Sequence, residues 1–101
     1  MGAQEKRSHD RSIKDFDKAM NGARNLSQGP DMDSNLRRYT ASRDSLERAI
    51  REYEVTRKTG YGVSPETERR YADARSLSDT LDGRIKGFRE QRAQEIGRAH
   101  V

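Results

Sequence analysis

Two histidines, His9 and His100, and a scatter of carboxylates are the first candidates for acid–base or metal chemistry in a chain that has no cysteine. His9 lies in a charged N-terminal stretch and His100 in the last few residues, so neither has the second His or Cys that a metal site needs. Asp15 and Asp17 are two residues apart, which puts them on different faces of a helix and not into one acid–base pair. Gly60 and Gly62 are not followed by the Lys-Ser/Thr of a phosphate loop, and no strand precedes them as a dinucleotide-binding turn requires. The expectation is a non-enzymatic protein with no cofactor, no metal and no catalytic residues.

The abundant chemistry is charge. The 101 residues carry 21 Lys and Arg against 17 Asp and Glu, a net +4. Cations gather as Lys6, Arg7, Arg11 and Lys14, as Arg37 and Arg38, as Arg69 and Arg70, and as Arg84, Lys86, Arg89 and Arg92. Arg84, Lys86, Arg89 and Arg92 are the candidate polyanion contacts. Nucleic-acid binding asks for cations on one face and, for single strands, exposed rings. Here acids and bases alternate along the chain, and the apolar pattern described below takes up every ring of the helices, leaving Tyr61 alone. Phosphate-backbone binding by basic helices is therefore the alternative reading and not the leading one.

The elements that would position these groups are helices. Hydrophobic residues make up 30% and charged residues 38% of the chain, enough for a narrow apolar seam. Cores this thin often borrow stability from a partner or a second copy. No apolar run reaches the roughly 18 residues of a membrane span, and with no cysteine and no signal-peptide core the expected location is cytoplasmic.

Pro30 and Pro65 mark two breaks, residues 27–31 and 59–65, which leave helices over about 5–26, 34–58 and 65–94. Ser64 followed by Pro65 reads as an N-cap and first helical residue, and Glu66 and Glu68 suit the positive end of the helix dipole. Arg57 and Lys58 suit the negative end of the preceding helix, where Gly60 can adopt the left-handed cap conformation. Asp33 or Ser34 is the expected cap of the second helix.

In that second helix Leu36, Tyr39, Arg43, Leu46, Ile50 and Tyr53 step by 3, 4, 3, 4, 3, and in the third Tyr71, Ala74, Ser78, Leu81, Ile85 and Phe88 repeat the pattern. These are coiled-coil seams with one polar interruption each. Folded back on itself, the chain sets residue i against residue 124 − i, centring an antiparallel hairpin on Gly62. On one flank this register pairs Asp33 with Arg89 and Glu47 with Arg75, and it also sets Glu54 against Glu68. On the other flank Ala49 meets Leu77, a small apolar side where a first helix bearing Ile13, Phe16, Met20 and Ala23 can dock. The expected fold is all-α, a three-helix bundle forming one domain over residues 1–94. Arg43 is expected to lay its stem over Leu81 with its guanidinium in water. Gly83 and Gly87 are expected to fray the third helix locally.

The stretches Leu46-Glu47-Arg48-Ala49-Ile50, Tyr61-Gly62-Val63-Ser64, Glu68-Arg69-Arg70-Tyr71 and Ala74-Arg75 resemble the N-terminal three-helix domain of syntaxin-6-type SNARE proteins, over about residues 34–90. The resemblance implies a regulatory domain in vesicle trafficking that binds helices of a SNARE or a tethering factor. The spacing from turn to paired arginines departs from that family by about one helical turn, and the chain is more basic. The last residues, Glu95-Ile96-Gly97-Arg98-Ala99-His100-Val101, resemble a translated short-read sequencing adapter, GAG ATC GGA AGA GCA CAC GTC with TGA following. On that reading 95–101 is a non-native tail and the chain a truncated fragment. The expected function is helix-mediated protein–protein interaction through self-association or a partner helix, with the seam residues Leu36, Tyr39, Arg43, Leu46, Ile50, Tyr53, Tyr71, Ala74, Leu81, Ile85 and Phe88 as its framework.

Overall fold

A computed structural model describes the backbone of residues 2–99, and the side chains of those residues except 2, 5, 8 and 97–99. His100 and Val101 lie outside the described residues, so the expectation of a non-native tail falls partly beyond them. The chain forms three α-helices: α1 (Gly2–Arg24), α2 (Met32–Lys58) and α3 (Pro65–Ala99). Its dimensions, 64 × 18 × 16 Å, are those of a narrow rod.

The helix ends follow side-chain chemistry. Ser64 caps α3 as expected: its Oγ accepts the Thr67 N–H at 3.2 Å, and its own N–H donates to Thr67 Oγ1 at 2.9 Å. This is a reciprocal capping box with Thr67 in the place more often held by Glu or Gln. At the end of α2, Thr59 is the cap and Gly60, at φ 76°, takes the left-handed position and donates to the Arg57 carbonyl. The start of α2 corrects the expectation. Asp31, extended at φ −88° and ψ 114°, is the N-cap and its side chain accepts from the Asp33 N–H at 3.3 Å. The helix therefore begins at Met32, and Asp33 sits in its first turn. α3 also runs through Gly83 and Gly87 without a break, which corrects the expected fraying.

α2 and α3 pack antiparallel along the seam. Leu46, Ile50, Tyr53, Ala74, Leu81, Ile85 and Phe88 are all buried, with Tyr39, while Leu36 and Tyr71 are half-buried against them. Rings lock the two ends, Tyr53 with Tyr71 at 5.5 Å and Tyr39 edge-on to Phe88 at 4.9 Å. Flank pairing differs in detail from the 124 − i register. Asp33 pairs with Arg92 at 3.2 Å, one helical step beyond Arg89. Glu68 turns to Arg57 at 3.1 Å, which relieves its repulsion with Glu54. Glu47 and Arg75 line one shallow groove without an ion pair between them.

α1 docks mainly on α2, parallel to α3 and beside the hairpin end of that helix. Phe16 is fully buried and edge-on to Tyr53 at 5.3 Å, with Met20 and Ala23 buried beyond it. The inward face is rotated from the expected one: Ser12 and Ala19 are buried, and Ile13 is only half-buried. Docking on α2 in preference to the seam centre turns position 13 toward the rim, beside Gly62 and Thr67.

Candidate interaction surfaces

Several polar side chains are spent inside the fold. Asn35 is completely buried and closes the α1–α2 connection: its Oδ1 accepts the Gly29 N–H at 2.9 Å and its Nδ2 donates to the Gly29 carbonyl at 2.8 Å. Arg38 donates to the same Oδ1 at 2.8 Å and to the Ser27 carbonyl at 3.0 Å, so it is a loop tie and not a free cation. At the opposite end Thr67 Oγ1 accepts from the Tyr53 hydroxyl at 3.1 Å, linking the α3 cap to the core. Neither Asn35 nor Thr67 follows from heptads. A buried amide six residues after a glycine, and a Thr three residues after a Ser-Pro start, are the signals that would have found them.

Arg43 departs from the expected placement. Its side chain is 22% exposed, and its guanidinium donates to Asp82 across the seam at 3.0 Å and to Asp44 at 3.2 Å. The hydrogen bond to Asp82 is the main reason its cationic form is favoured further, ahead of the Asp44 contacts, with burial opposing. Half-buried at its seam position and tied to one acid on α3, Arg43 is a register pin. The surface i,i+4 pairing that forms is Arg70 with Glu66 at 3.3 Å; Asp10–Lys14 and Asp44–Arg48 do not pair.

Tyr61 is not free at the loop tip. The His9 ring stands edge-on to it at 5.7 Å and covers Gly62, where a Cβ would run into the imidazole. Gly62 also has φ 74°, so the position excludes a side chain twice over. His9 and Ser64 share this end of the bundle, but the Ser64 hydroxyl serves the helix cap and His9 Nδ1 is buried without a hydrogen-bond partner. No nucleophile–base hydrogen bond is present there. Among the described residues no group of three or more His, Asp or Glu could hold a metal ion, and no helix is long and apolar enough to cross a membrane.

Nor do the candidate polyanion contacts on α3 all share a face. Lys86 and exposed Arg89 are neighbours three residues apart, but Arg84 lies about 200° around the helix from Lys86, and Arg92 is taken by Asp33.

A different surface is open. On the side of the bundle away from α3, α1 and α2 leave a groove floored by small residues: Ala19 and Gly22 from α1, and Ala41, Ser42, Ser45 and Ala49 from α2. A Cβ on Gly22 would meet nothing within 4 Å. At one level of this groove stand Asp15 and Glu52, and one turn away stand Lys18 and Arg48. A hydrogen bond with the Asp15 carboxyl, then burial and the Asp15 charge, hold the Glu52 carboxyl above its ordinary range, with Arg11 and Arg48 opposing. Glu52 Oε2 is buried with no donor. The groove thus holds two acids that compete for neutralisation.

Known protein families, curated proteins and solved structures contain no match to this chain.

Proposed function

We propose that the protein is a non-enzymatic helical interaction module that self-associates through the α1–α2 groove, with the same groove of a second copy as its occupant. The observation that carries this is the charge layout over a floor of small side chains. Asp15 and Glu52 lie one turn from Lys18 and Arg48 on the same groove. A twofold axis passing between the two levels sets the acids of each copy against the cations of the other, the self-complementarity that an isologous dimer requires. Small residues let two helix pairs approach closely, and a cation of the second copy can reach Glu52, whose Oε2 is buried without a hydrogen-bond partner in the single chain. The seam residues are consumed by the core and take no part in this surface; among the described residues the large exposed apolar side chains are the dispersed Val55, Val63 and Ile96.

The trafficking role implied by the SNARE resemblance has a weaker footing. Leu46, Ala49, Ile50 and Ala74 among its residues are core, and Ser64 is a cap, so the fold itself requires them.

The test is sedimentation equilibrium of the whole chain. Wild type is expected to dimerise, and Ser45→Trp, at an exposed position on the groove floor, to be a folded monomer. Because the raised Glu52 carboxyl must ionise to meet a cation, dimerisation releases protons. The dimer should therefore tighten as pH rises through that carboxyl's range and weaken as pH falls. A wild-type chain that stays monomeric at its solubility limit, or a Ser45→Trp variant that dimerises unchanged, would overturn the proposal.

A further inference from the structure

The outward face of α1 carries charge of one sign although the sequence of α1 does not. Arg7, Arg11, Lys14 and Lys18 step by 4, 3, 4, which keeps them on one line along the helix, and all four are exposed. Asn21 extends the line by 3. The aspartates of α1 flank this line and do not interrupt it. Asp17 reaches Arg70 on α3 at 3.9 Å, Asp15 stands against Glu52, and Asp10 lines the recess by His9 and Gly62 together with Lys14. Among the described residues no ion pair engages any of the four cations. Docking of Phe16 and Met20 on α2 is what sorts the charges.

We infer that this stripe binds the phosphate backbone of a nucleic-acid duplex. At about 1.5 Å of rise per residue the four cations span roughly 16 Å, and a duplex offers a phosphate about every 3.4 Å along each strand. The stripe is held rigid by the bundle, so little ordering opposes binding. An anionic membrane fits less well. An interfacial helix inserts an apolar face, and that of α1 is buried inside the fold. A single strand fits less well too, because stacking needs open rings beside the cations. Tyr39 and Tyr53 are buried, and Tyr61 and Tyr71 are half-buried in ring contacts. Two arginines, two lysines and one amide at this spacing recognise charge and shape, with no base-specific element. Of the four cations only Lys18 also lines the groove, and Arg7, Arg11 and Lys14 lie outside it, so the inference does not depend on self-association.

The experiment is titration of a fluorescent random-sequence DNA duplex of about 20 base pairs with the whole chain over a range of salt. Four neutralised phosphates give a slope of log K against log salt near −3.6, or a loss of about 100-fold between about 50 and 200 mM salt. The triple variant Arg7→Glu, Arg11→Glu, Lys14→Glu changes only exposed residues. It should keep the helical circular dichroism of wild type and lose at least about 100-fold in affinity with most of the slope. Arg84→Glu, Lys86→Glu, Arg89→Glu makes the same change in net charge and should lose less than about a tenth as much. Ser45→Trp, which leaves all four cations in place, should still bind the duplex with a slope near that of four neutralised phosphates. Absence of duplex binding at low salt would overturn the inference, as would equal losses in the two triple variants. Tighter binding to phosphatidylserine vesicles than to duplex at the same ionic strength would reassign the stripe to membranes.

Discussion

The two connections of this bundle are closed by different means. Between α2 and α3, the hydrogen bonds of residues 59–64 go to near neighbours, with the His9 ring of α1 laid over Tyr61 and Gly62: Gly60 donates to the Arg57 carbonyl, and Ser64 and Thr67 cap each other. Between α1 and α2, residues 25–31 run back along α2 and are gripped by side chains from beyond them. Asn35 takes both backbone groups of Gly29, and Arg38 holds the Ser27 carbonyl. A turn built from local rules folds wherever its sequence occurs. A connection built on a buried amide folds only when the helix carrying that amide is already in place. The α2–α3 hairpin is therefore the self-sufficient part of the molecule, and α1 is the part whose position depends on the rest.

The largest test removes what both connections rely on. Ile85 is 1% exposed in the middle of the seam, and Ile85→Asp buries an unpaired charge there. The expected cost exceeds about 4 kcal/mol, comparable with the whole stability of a small domain. Thermal melting by circular dichroism should then show no cooperative transition; a retained sharp transition would contradict the hairpin packing. Leu46→Asp, at a fully buried site, should behave in the same way.

Asn35→Ala separates the two connections. It leaves the Gly29 N–H and carbonyl without partners and Arg38 with one bond fewer, a loss of about 2–3 kcal/mol. Hydrogen exchange should show α1 and residues 25–31 losing protection while α2 and α3 keep theirs. Equal loss in all three helices would mean that the hairpin is not self-sufficient. Thr67→Val acts at the other connection and keeps the side-chain shape. It removes the partner of the Tyr53 hydroxyl and half of the capping box, for about 1–2 kcal/mol. Denaturant melts should show it less damaging than Asn35→Ala, because Tyr53 retains Glu68 at 3.3 Å and the Ser64 Oγ cap remains.

The smallest effect is a gain. Gly83 and Gly87 are helical, and a Cβ at either would meet nothing within 4 Å. Gly83→Ala and Gly87→Ala should each stabilise by up to about 1 kcal/mol, through the reduced freedom of the unfolded chain. If either substitution destabilises the protein, a contact that the fold does not show must occupy that outer face of α3.

The helices, their number and the antiparallel hairpin were legible in the sequence. Heptad steps, Pro–Ser punctuation and left-handed glycine positions act over a few residues and leave the same trace in any context. Less legible were the details set by geometry between helices. The N-cap of α2 moved from Asp33 or Ser34 to Asp31, because the residue that ends the extended loop does the capping. Arg43 was expected to reach water, and the acid that captures it, Asp82, is 39 residues away. On α1, Ser12 replaced Ile13 on the inner face because the helix sits on α2 and not centrally over the seam.

Sequence by itself determined that this chain makes three amphipathic helices and an antiparallel pair, since periodicity, caps and turn residues act locally. Tertiary structure alone decided which surfaces remain. The rotation of α1 about its axis depends on how Phe16, Met20 and Ala23 meet α2. That one angle turned a helix of mixed charge into a cationic outer face, and it left a small-residue groove open beside it.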